Sequence, residues 1–127
     1  MSNTMKILNL TQHLATPDQI LSGVFDLPEK ARKEVCELLT FEKIPSAEGI
    51  SIRAHALAGY AVTYTANCGA CMIGGAPYLM GELTGMLRRS SIKALYSFSV
   101  RDAVDAPQAD GSVRKVIVFR HTGFVPA

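Results

Sequence analysis

Three short polar or glycine-rich segments each follow an apolar run with the composition of a buried strand. Thr11-Gln12-His13 follows the run KILNL, and Gly74-Gly75 follows ACMI. Ser97-Phe98-Ser99, with Arg101 close behind, ends the run KALYSFS. In open α/β sheets, ligands bind outside the carboxyl ends of the parallel strands. We therefore expect the three segments to meet at one edge of a sheet and to form a ligand site there.

The segments differ in the chemistry that they offer. Glycine lets a backbone approach a ligand, and the N–H groups at the start of the helix after Gly74-Gly75 can attract phosphate. The alternative is a plain tight turn between a strand and a helix, because the segment matches neither GxGxxG nor a P-loop. His13 can act as an acid or a base near neutral pH, or it can simply shape the turn before Thr16.

The remaining histidines and the cysteines carry weaker signals. His121 follows the last strand beside Arg120 and could contact an anion, whereas His55 lies in an alanine-rich helix and is expected to be structural. Cys68 and Cys71 have CxxC spacing, which is at most half of a zinc site. A redox pair sits at a helix N-terminus after a strand. This pair instead leads from a helix into a strand, so both are predicted to be buried packing cysteines.

The sequence offers neither a metal-ligand cluster nor a pair of carboxylates in a catalytic frame. Any phosphodiester chemistry would therefore be independent of metal, and we expect no cofactor. It would rely on positioning, a basic clamp and in-line attack by a ribose 2′-hydroxyl.

Composition and charge narrow the class of protein. The 127 residues are 48% hydrophobic with a net charge of +2, which predicts one domain over residues 1–127. No apolar stretch approaches the ~20 residues of a membrane span, and the N-terminus does not resemble a secretory signal. Together with three cysteines, an odd number, this predicts a cytoplasmic protein.

Charge is distributed unevenly along the chain. Residues 1–87 carry six Lys/Arg against eight Asp/Glu, a net charge of −2, and residues 88–127 carry seven against three, a net charge of +4. The basic C-terminal third favours an anionic ligand, although a solvated basic face is the alternative.

Apolar periodicity predicts the element order β-α-α-α-β-α-β-loop-β. The first helix begins at Thr16-Pro17, with Gln19 completing a capping box, and places Val24 and Phe25 on its apolar face. Gly23 should keep it short. Asp26 is expected to cap a second helix that ends near Thr40.

The later elements follow from the same signals. Ser46 or Ser51 caps a third helix that Asn67 or Gly69 ends, and Pro77 opens a fourth that ends at Arg88-Arg89. A loop is expected from Ser99 to Arg101, and Asp110-Gly111 should turn the chain into a strand over residues 113–119. The fold class is α/β, with a mainly parallel sheet, helices on both faces and a C-terminal antiparallel β-hairpin.

Several segments resemble the small single-domain members of the CRISPR-associated Rossmann-fold (CARF) superfamily. They are LNLTQHLATPDQ, MIGGAPYLM, and the tail ALYSFSVRDAV with DGSVRKVIVFRHTGF, which together span nearly the whole chain. The resemblance implies a Rossmann-like homodimer that binds cyclic oligoadenylate, a messenger of type III CRISPR antiviral defence, across its two-fold axis. Some such proteins are ring nucleases, which cleave the messenger without metal.

The resemblance also implies roles for individual residues. Those expected to bind the ligand are Gln12, Gly74, Gly75, Ser97, Arg101 and His121. Those expected to assist cleavage are Thr11, His13 and Ser99. Membrane attachment and stable DNA binding are not expected.

Three functions remain open at this point. The chain could be a ring nuclease, a nucleotide sensor without turnover, or an interaction protein of a mobile element that uses the fold as a scaffold. For either of the first two, Arg101→Ala should weaken nucleotide binding and His13→Ala should leave folding intact.

Overall fold

The computed structural model describes residues 5–65 and 69–127. The described strands are β1 (Ile7–Leu10), β2 (Val24–Phe25), β3 (Ala70–Ile73), β4 (Lys93–Pro107) and β5 (Val113–Pro126). The described helices are α1 (Pro17–Leu21), α2 (Glu29–Leu39), α3 (Ala47–Thr65) and α4 (Pro77–Arg89). Of these, the strand ACMI and the helix from Pro77 to Arg89 have the predicted bounds.

The five strands form one sheet in the order β2-β1-β3-β4-β5. β1, β2, β3 and β4 are parallel to one another, and β5 is antiparallel to β4. The parallel strands end at a common edge, where their carboxyl ends meet. The α/β class and the mainly parallel sheet with a C-terminal hairpin are therefore confirmed.

Successive residues of each strand point to opposite faces of the sheet, and the two faces are covered unequally. On one face, α2, α3 and α4 pack over Leu8, Leu10, Cys71 and Ile73 and form the main core. The buried members of the smaller cluster on the other face are Ile7, Val24, Ala70, Met72 and Leu95. Ala15, just before α1, packs against that cluster, and α1 itself has no buried residue.

The first predicted helix ends earlier than its apolar pattern indicates. Thr16 and Gln19 form the predicted capping box, and Pro17 takes the first helical position. The helix ends at Leu21, and Gly23, with a φ of 103°, turns the chain toward the sheet. Val24 and Phe25 then form β2 beside Ile7 and Leu8, so their placement on the helix was wrong. Both residues favour strands, and pairing with β1 outweighs the helical spacing.

The predicted cap of the second helix is also wrong. α2 begins after Pro28, which makes no side-chain cap hydrogen bond. Asp26 instead accepts hydrogen bonds from the Asn9 amide and the Ala15 backbone N–H. For α3, the predicted choice between two serines resolves to Ser46, whose hydroxyl accepts from the Gly49 N–H. Asn67 lies outside the described residues.

The hairpin differs most from the prediction. The expected loop opening at Ser99-Val100-Arg101 is wrong, because β4 continues to Pro107 and pairs with β5 from Leu95 to Pro107, with a register shift at Phe98/Ser99. β3 pairs with β4 only as far as Leu95. The hairpin therefore extends beyond the sheet, and we call its outer part, residues 99–107 and 113–121, the ribbon.

Asp110-Gly111 lies in the connection between β4 and β5, as predicted. Gly111 has a φ of 87°, and Ser112 donates hydrogen bonds to the Asp110 carboxylate from its N–H and its hydroxyl. No helix in residues 5–65 and 69–127 is both long and apolar enough to span a bilayer.

Candidate functional site

A cavity of about 620 Å³ lies where the parallel strands end. Its lining comes from the segments after β1, β3 and β4 and from the start of α1. The lining residues are Thr11, Gln12, His13, Leu14, Thr16, Gln19, Met72, Ile73, Gly74, Gly75, Tyr96 and Ser97. The structure thus brings together six of the residues predicted to form a site, from three separated parts of the chain.

The loop from Thr11 to Ala15 is held by a buried asparagine at the end of β1. Asn9, 4% exposed, donates from its amide to the His13 carbonyl and to the Asp26 carboxylate, both at 2.7 Å. Its amide oxygen accepts from the N–H and the hydroxyl of Thr11. Because every polar atom of this buried side chain is engaged, the loop has a defined shape without bound ligand.

Side chains of this loop extend in different directions. Gln12 reaches away from the β4 side and donates to the Thr40 hydroxyl at 2.9 Å, at the end of α2. The His13 ring is exposed, and the described hydrogen bonds of this residue are made by its backbone. His13 therefore lies at the rim of the cavity, with a ring that is accessible to a ligand.

The glycine turn is closely packed on both sides. A Cβ at Gly74 would lie 3.6 Å from the Thr11 methyl group, and a Cβ at Gly75 would lie 3.2 Å from the terminal carbon of Met80. A side chain at Gly74 would thus contact Thr11 of the cavity lining, whereas a side chain at Gly75 would project toward the core residues Met80 and Leu39. α4 starts directly after this turn with Pro77, which lacks an N–H donor.

On the opposite wall, the Ser97 hydroxyl is hydrogen-bonded to a buried histidine. Ser97 Oγ lies 2.7 Å from His121 Nδ1 and accepts from the Gln19 amide at 3.2 Å. The serine hydrogen is available for Nδ1, and in that arrangement His121 carries its own proton on Nε2. That Nε2 is buried and has no hydrogen-bond partner among the described residues. His121 is thus positioned to accept a proton from Ser97.

Three predicted site residues, Ser99, Arg101 and His121, are not part of the cavity lining. Ser99 and Arg101 both belong to the ribbon and are exposed, and Arg101 lies over the Phe119 ring at 5.6 Å. The loop that was expected to fold them toward the ligand is a straight strand, so their distance from Ser97 grows by ~3.3 Å per residue. His121 reaches the site only through Ser97.

The lining of the cavity contains no Lys, Arg, Asp or Glu, and several basic side chains of β4 and β5 lie on the ribbon. Arg120 pairs there with Asp102 at 3.2 Å. Phosphate contacts inside the cavity would therefore come from hydroxyls, amides and backbone N–H groups.

The remaining histidine and cysteine candidates lie apart from the cavity lining where the structure describes them. Within residues 5–65 and 69–127, no group of three or more His, Cys, Asp and Glu residues could hold a metal ion. Cys71 is buried in the middle of β3, as predicted, and Cys68 lies outside the described residues. His55 is exposed on α3, away from the strand ends.

A second cavity, about 580 Å³, lies between the end of α2 and the start of α3. Its most polar group is Arg53, whose guanidinium donates to the carbonyls of Glu37, Leu38 and Thr40 and lies 4.2 Å from the Phe41 ring centre. Arg53 thus serves as a cap for the C-terminus of α2, and this explains its position without a ligand.

Sequence reasoning missed the residues that position the site. Asn9 is a polar residue inside an apolar strand, and a buried polar residue needs partners, so its position carried a usable signal. Gln19 was assigned to the capping box, and its backbone and side-chain oxygen do form that box. Its remaining amide hydrogens were free for Ser97, but pairing across 78 residues leaves no local pattern.

A family model described as the Uncharacterized protein MJ1673 family matches residues 5–125. Neither the curated proteins nor the solved structures contain a match to the chain. The family match covers both the strand-end cavity and the ribbon, and the chain belongs to the MJ1673 family.

Proposed function

We propose that this protein binds a cyclic oligoadenylate in the strand-end cavity and cleaves it without metal. The observation that carries the proposal is the convergence of Thr11–His13, Gly74-Gly75 and Ser97 on one cavity of about 620 Å³. These are the segments on which the resemblance to the CARF superfamily rests. A location outside the carboxyl ends of parallel strands is also the usual one for nucleotides in open α/β sheets.

The polar groups of the lining suit adenosine better than a free anion. Hydroxyls and side-chain amides, from Thr11, Thr16 and Gln19 among others, can pair with the edge of a base and with ribose hydroxyls. The glycine turn lets a phosphate approach the backbone before α4. Discrimination would thus rest on neutral hydrogen bonds, which penalise a ligand that lacks the matching group.

Cleavage needs a proton acceptor, and the Ser97–His121 pair supplies one. The 2′-oxygen of a bound ribose attacks the adjacent phosphorus, its proton passes to Ser97 Oγ, and the serine proton passes to His121 Nδ1. The O2′–P bond forms and the P–O5′ bond breaks, which leaves a 2′,3′-cyclic phosphate. His13, at the rim, or water protonates the departing 5′-oxygen.

The test uses purified protein with cyclic tetra-adenylate and cyclic hexa-adenylate in the presence of a chelator. A rise in thermal stability reports binding to the native state, and chromatography reports linear products. Ser97→Ala should reduce the cleavage rate by about 10²-fold or more. Ser99→Ala, two residues further along the strand and outside the cavity, is the matched control and should leave the rate within a factor of two of wild type.

The outcomes separate the candidate functions. Binding without products would make the protein a sensor, and the Ser97–His121 pair would then have a binding role only. No thermal shift with either ring would overturn the proposal. In that case an interaction protein is the second candidate, and the apolar side chains exposed on the ribbon are the observation that favours it.

A further inference from the structure

We propose that one face of the ribbon is a contact surface for a second copy of this chain. The strand ladder defines this face, because residues directly opposite each other in an antiparallel pair point to the same side. The pairs Arg101–Phe119, Ala103–Ile117 and Asp105–Lys115 alternate with pairs that point the other way. We call the side that carries these three pairs the Phe119 face.

The Phe119 face combines charged residues with exposed apolar ones, and Arg101 of the same chain lies over the Phe119 ring at 5.6 Å. Phe119 is 69% exposed and Ile117 is 62% exposed, although both are large hydrophobic side chains. Among the described residues, β4 beyond Leu95 has β5 as its only strand neighbour. A lone two-stranded hairpin is marginally stable in water, and contiguous apolar surface on a protein marks a binding site. We therefore expect a partner to cover the ribbon.

The pattern of charges identifies that partner as a second copy. Arg101 and Asp105 lie two residues on either side of Ala103 in the same strand and on the same face. A two-fold axis that lies between two such faces and crosses the strands at Ala103 and Ile117 would place Arg101 opposite the partner's Asp105. The same rotation repeats this contact with the roles exchanged, as a two-fold interface requires.

The β5 residues of the Phe119 face are also self-complementary under this two-fold axis. Ile117 would meet the partner's Ile117 at the centre, and Phe119 would meet the partner's Lys115, a cation over an aromatic ring. The opposite face, which carries Val118 and Val104, lacks this arrangement because its acid Asp102 already pairs with Arg120 within the ribbon. Charge complementarity thus selects the Phe119 face.

This interface goes beyond the proposed function and does not depend on it. The ribbon continues from the carboxyl end of β4, and so it extends from the edge of the sheet where the cavity lies. Ser97 lies six residues before Ala103, so the two-fold axis at Ala103 places the two cavities at opposite ends of the paired ribbons, roughly 40 Å apart at ~3.3 Å per residue. The dimer therefore carries two separate cavities.

The experiment measures the mass of the ligand-free protein by sedimentation equilibrium at about 50 µM, because assembly depends on concentration. Wild type should sediment as a dimer of the 13.7 kDa chain. Phe119→Asp should weaken dimerisation at least tenfold. Val118→Asp, the neighbouring residue on the opposite face, should leave the dimer intact. A monomeric wild type, a dimeric Phe119→Asp protein or a dissociated Val118→Asp protein would each overturn the proposal.

A charge exchange tests the pairing itself and guards against unfolding. Arg101→Asp should weaken the dimer, and the double variant Arg101→Asp/Asp105→Arg should restore much of the lost affinity. Circular dichroism must show native helix content in every variant, which establishes that the sheet with its helices is folded. Failure of the double variant to recover would refute the pairing. If the protein dimerises but binds no adenylate, the interface is supported and only the proposed function is overturned.

Discussion

β4 runs through two regions of the molecule, the helix-covered sheet and the ribbon, and apolar side chains have different surroundings in each. Lys93–Leu95 of β4 pairs with β3, Leu95 also pairs with β5, and Leu95 is 4% exposed. Beyond residue 98, β5 is the one strand neighbour that β4 has among the described residues, and large apolar side chains of β5, such as Ile117 and Phe119, lie in solvent. Apolar residues stabilise the first region by burial, whereas in the second they are available for binding. Stability and recognition are therefore separated along one hairpin.

The largest difference between the two regions should appear in unfolding free energy. Leu83 in α4 is fully buried in the main core, and truncation to alanine should cost about 2–5 kcal/mol. Val104→Ala, on the ribbon face opposite Phe119, should stay within about 0.5 kcal/mol of wild type. Urea unfolding followed by circular dichroism checks both. Equal losses would mean that the ribbon is part of the cooperative core.

A smaller effect is expected at the junction between the sheet and the cavity. Asn9→Ala leaves Asp26 and the Thr11 loop without their buried partner, which should cost about 1–3 kcal/mol and loosen the cavity wall. Adenylate affinity should fall in parallel. His13→Ala is the control on the same loop, and because its ring is exposed, stability should change by less than about 0.5 kcal/mol. If Asn9→Ala binds like wild type, the loop does not shape the site.

Salt should distinguish a ligand held by the cavity from one held by the basic ribbon. With no Lys or Arg in the lining, affinity should fall less than about threefold between roughly 50 and 200 mM salt, whereas binding through many cations loses about 10³-fold or more. Titration calorimetry at the two salt concentrations provides the measurement. A steep loss would place the phosphates on the arginines of the ribbon.

The smallest expected effect lies at the tip of the hairpin. The Ser112 hydroxyl and N–H hold the pKa of the Asp110 carboxyl below its ordinary value of 3.8. A lowered folded-state pKa means that the ionised form stabilises the turn above pH 3.8, and this contribution is lost as pH falls through the lowered value. Nuclear magnetic resonance of the Gly111 amide should follow that titration. Asp110→Asn should abolish it, and a titration that persists would assign it to another group.

Local signals predicted the elements whose neighbours are close in sequence. The strand ACMI and the helix from Pro77 to Arg89 were predicted correctly because a short apolar run, a proline and a basic last turn each act within a few residues. Val24 and Phe25 were misplaced because their partners in β1 lie 17 residues away, at Ile7 and Leu8. Pairing across the sheet is decided by such distant contacts, which no window of the sequence contains.

The residues of the site were predictable where they directly follow a strand that the sequence reveals. The rule that ligands bind at the carboxyl ends of strands identified Thr11, Gly75 and Ser97, because the strands before them were found. Ser99 and Arg101 were assigned to the cavity on the assumption that the strand ends there. Val100 and Val104 have high strand propensity, and they were the available signal that it continues. The contact between Gln19 and Ser97 depends on the folded chain and could not be read from either segment.

The continuity of β4 from Lys93 to Pro107 has a mechanical consequence. The ribbon is continuous with the backbone that carries the Ser97 hydroxyl, and between them lies the register shift at Phe98/Ser99, where Thr122 of β5 is an extra residue without a partner in the β4 pairing. A bulge increases local twist, so it is the natural pivot when a force acts on the tip. Movement of the ribbon would rotate Ser97 relative to His121 on β5. The position of the Ser97 hydroxyl would therefore depend on any contact that holds the tip of the hairpin.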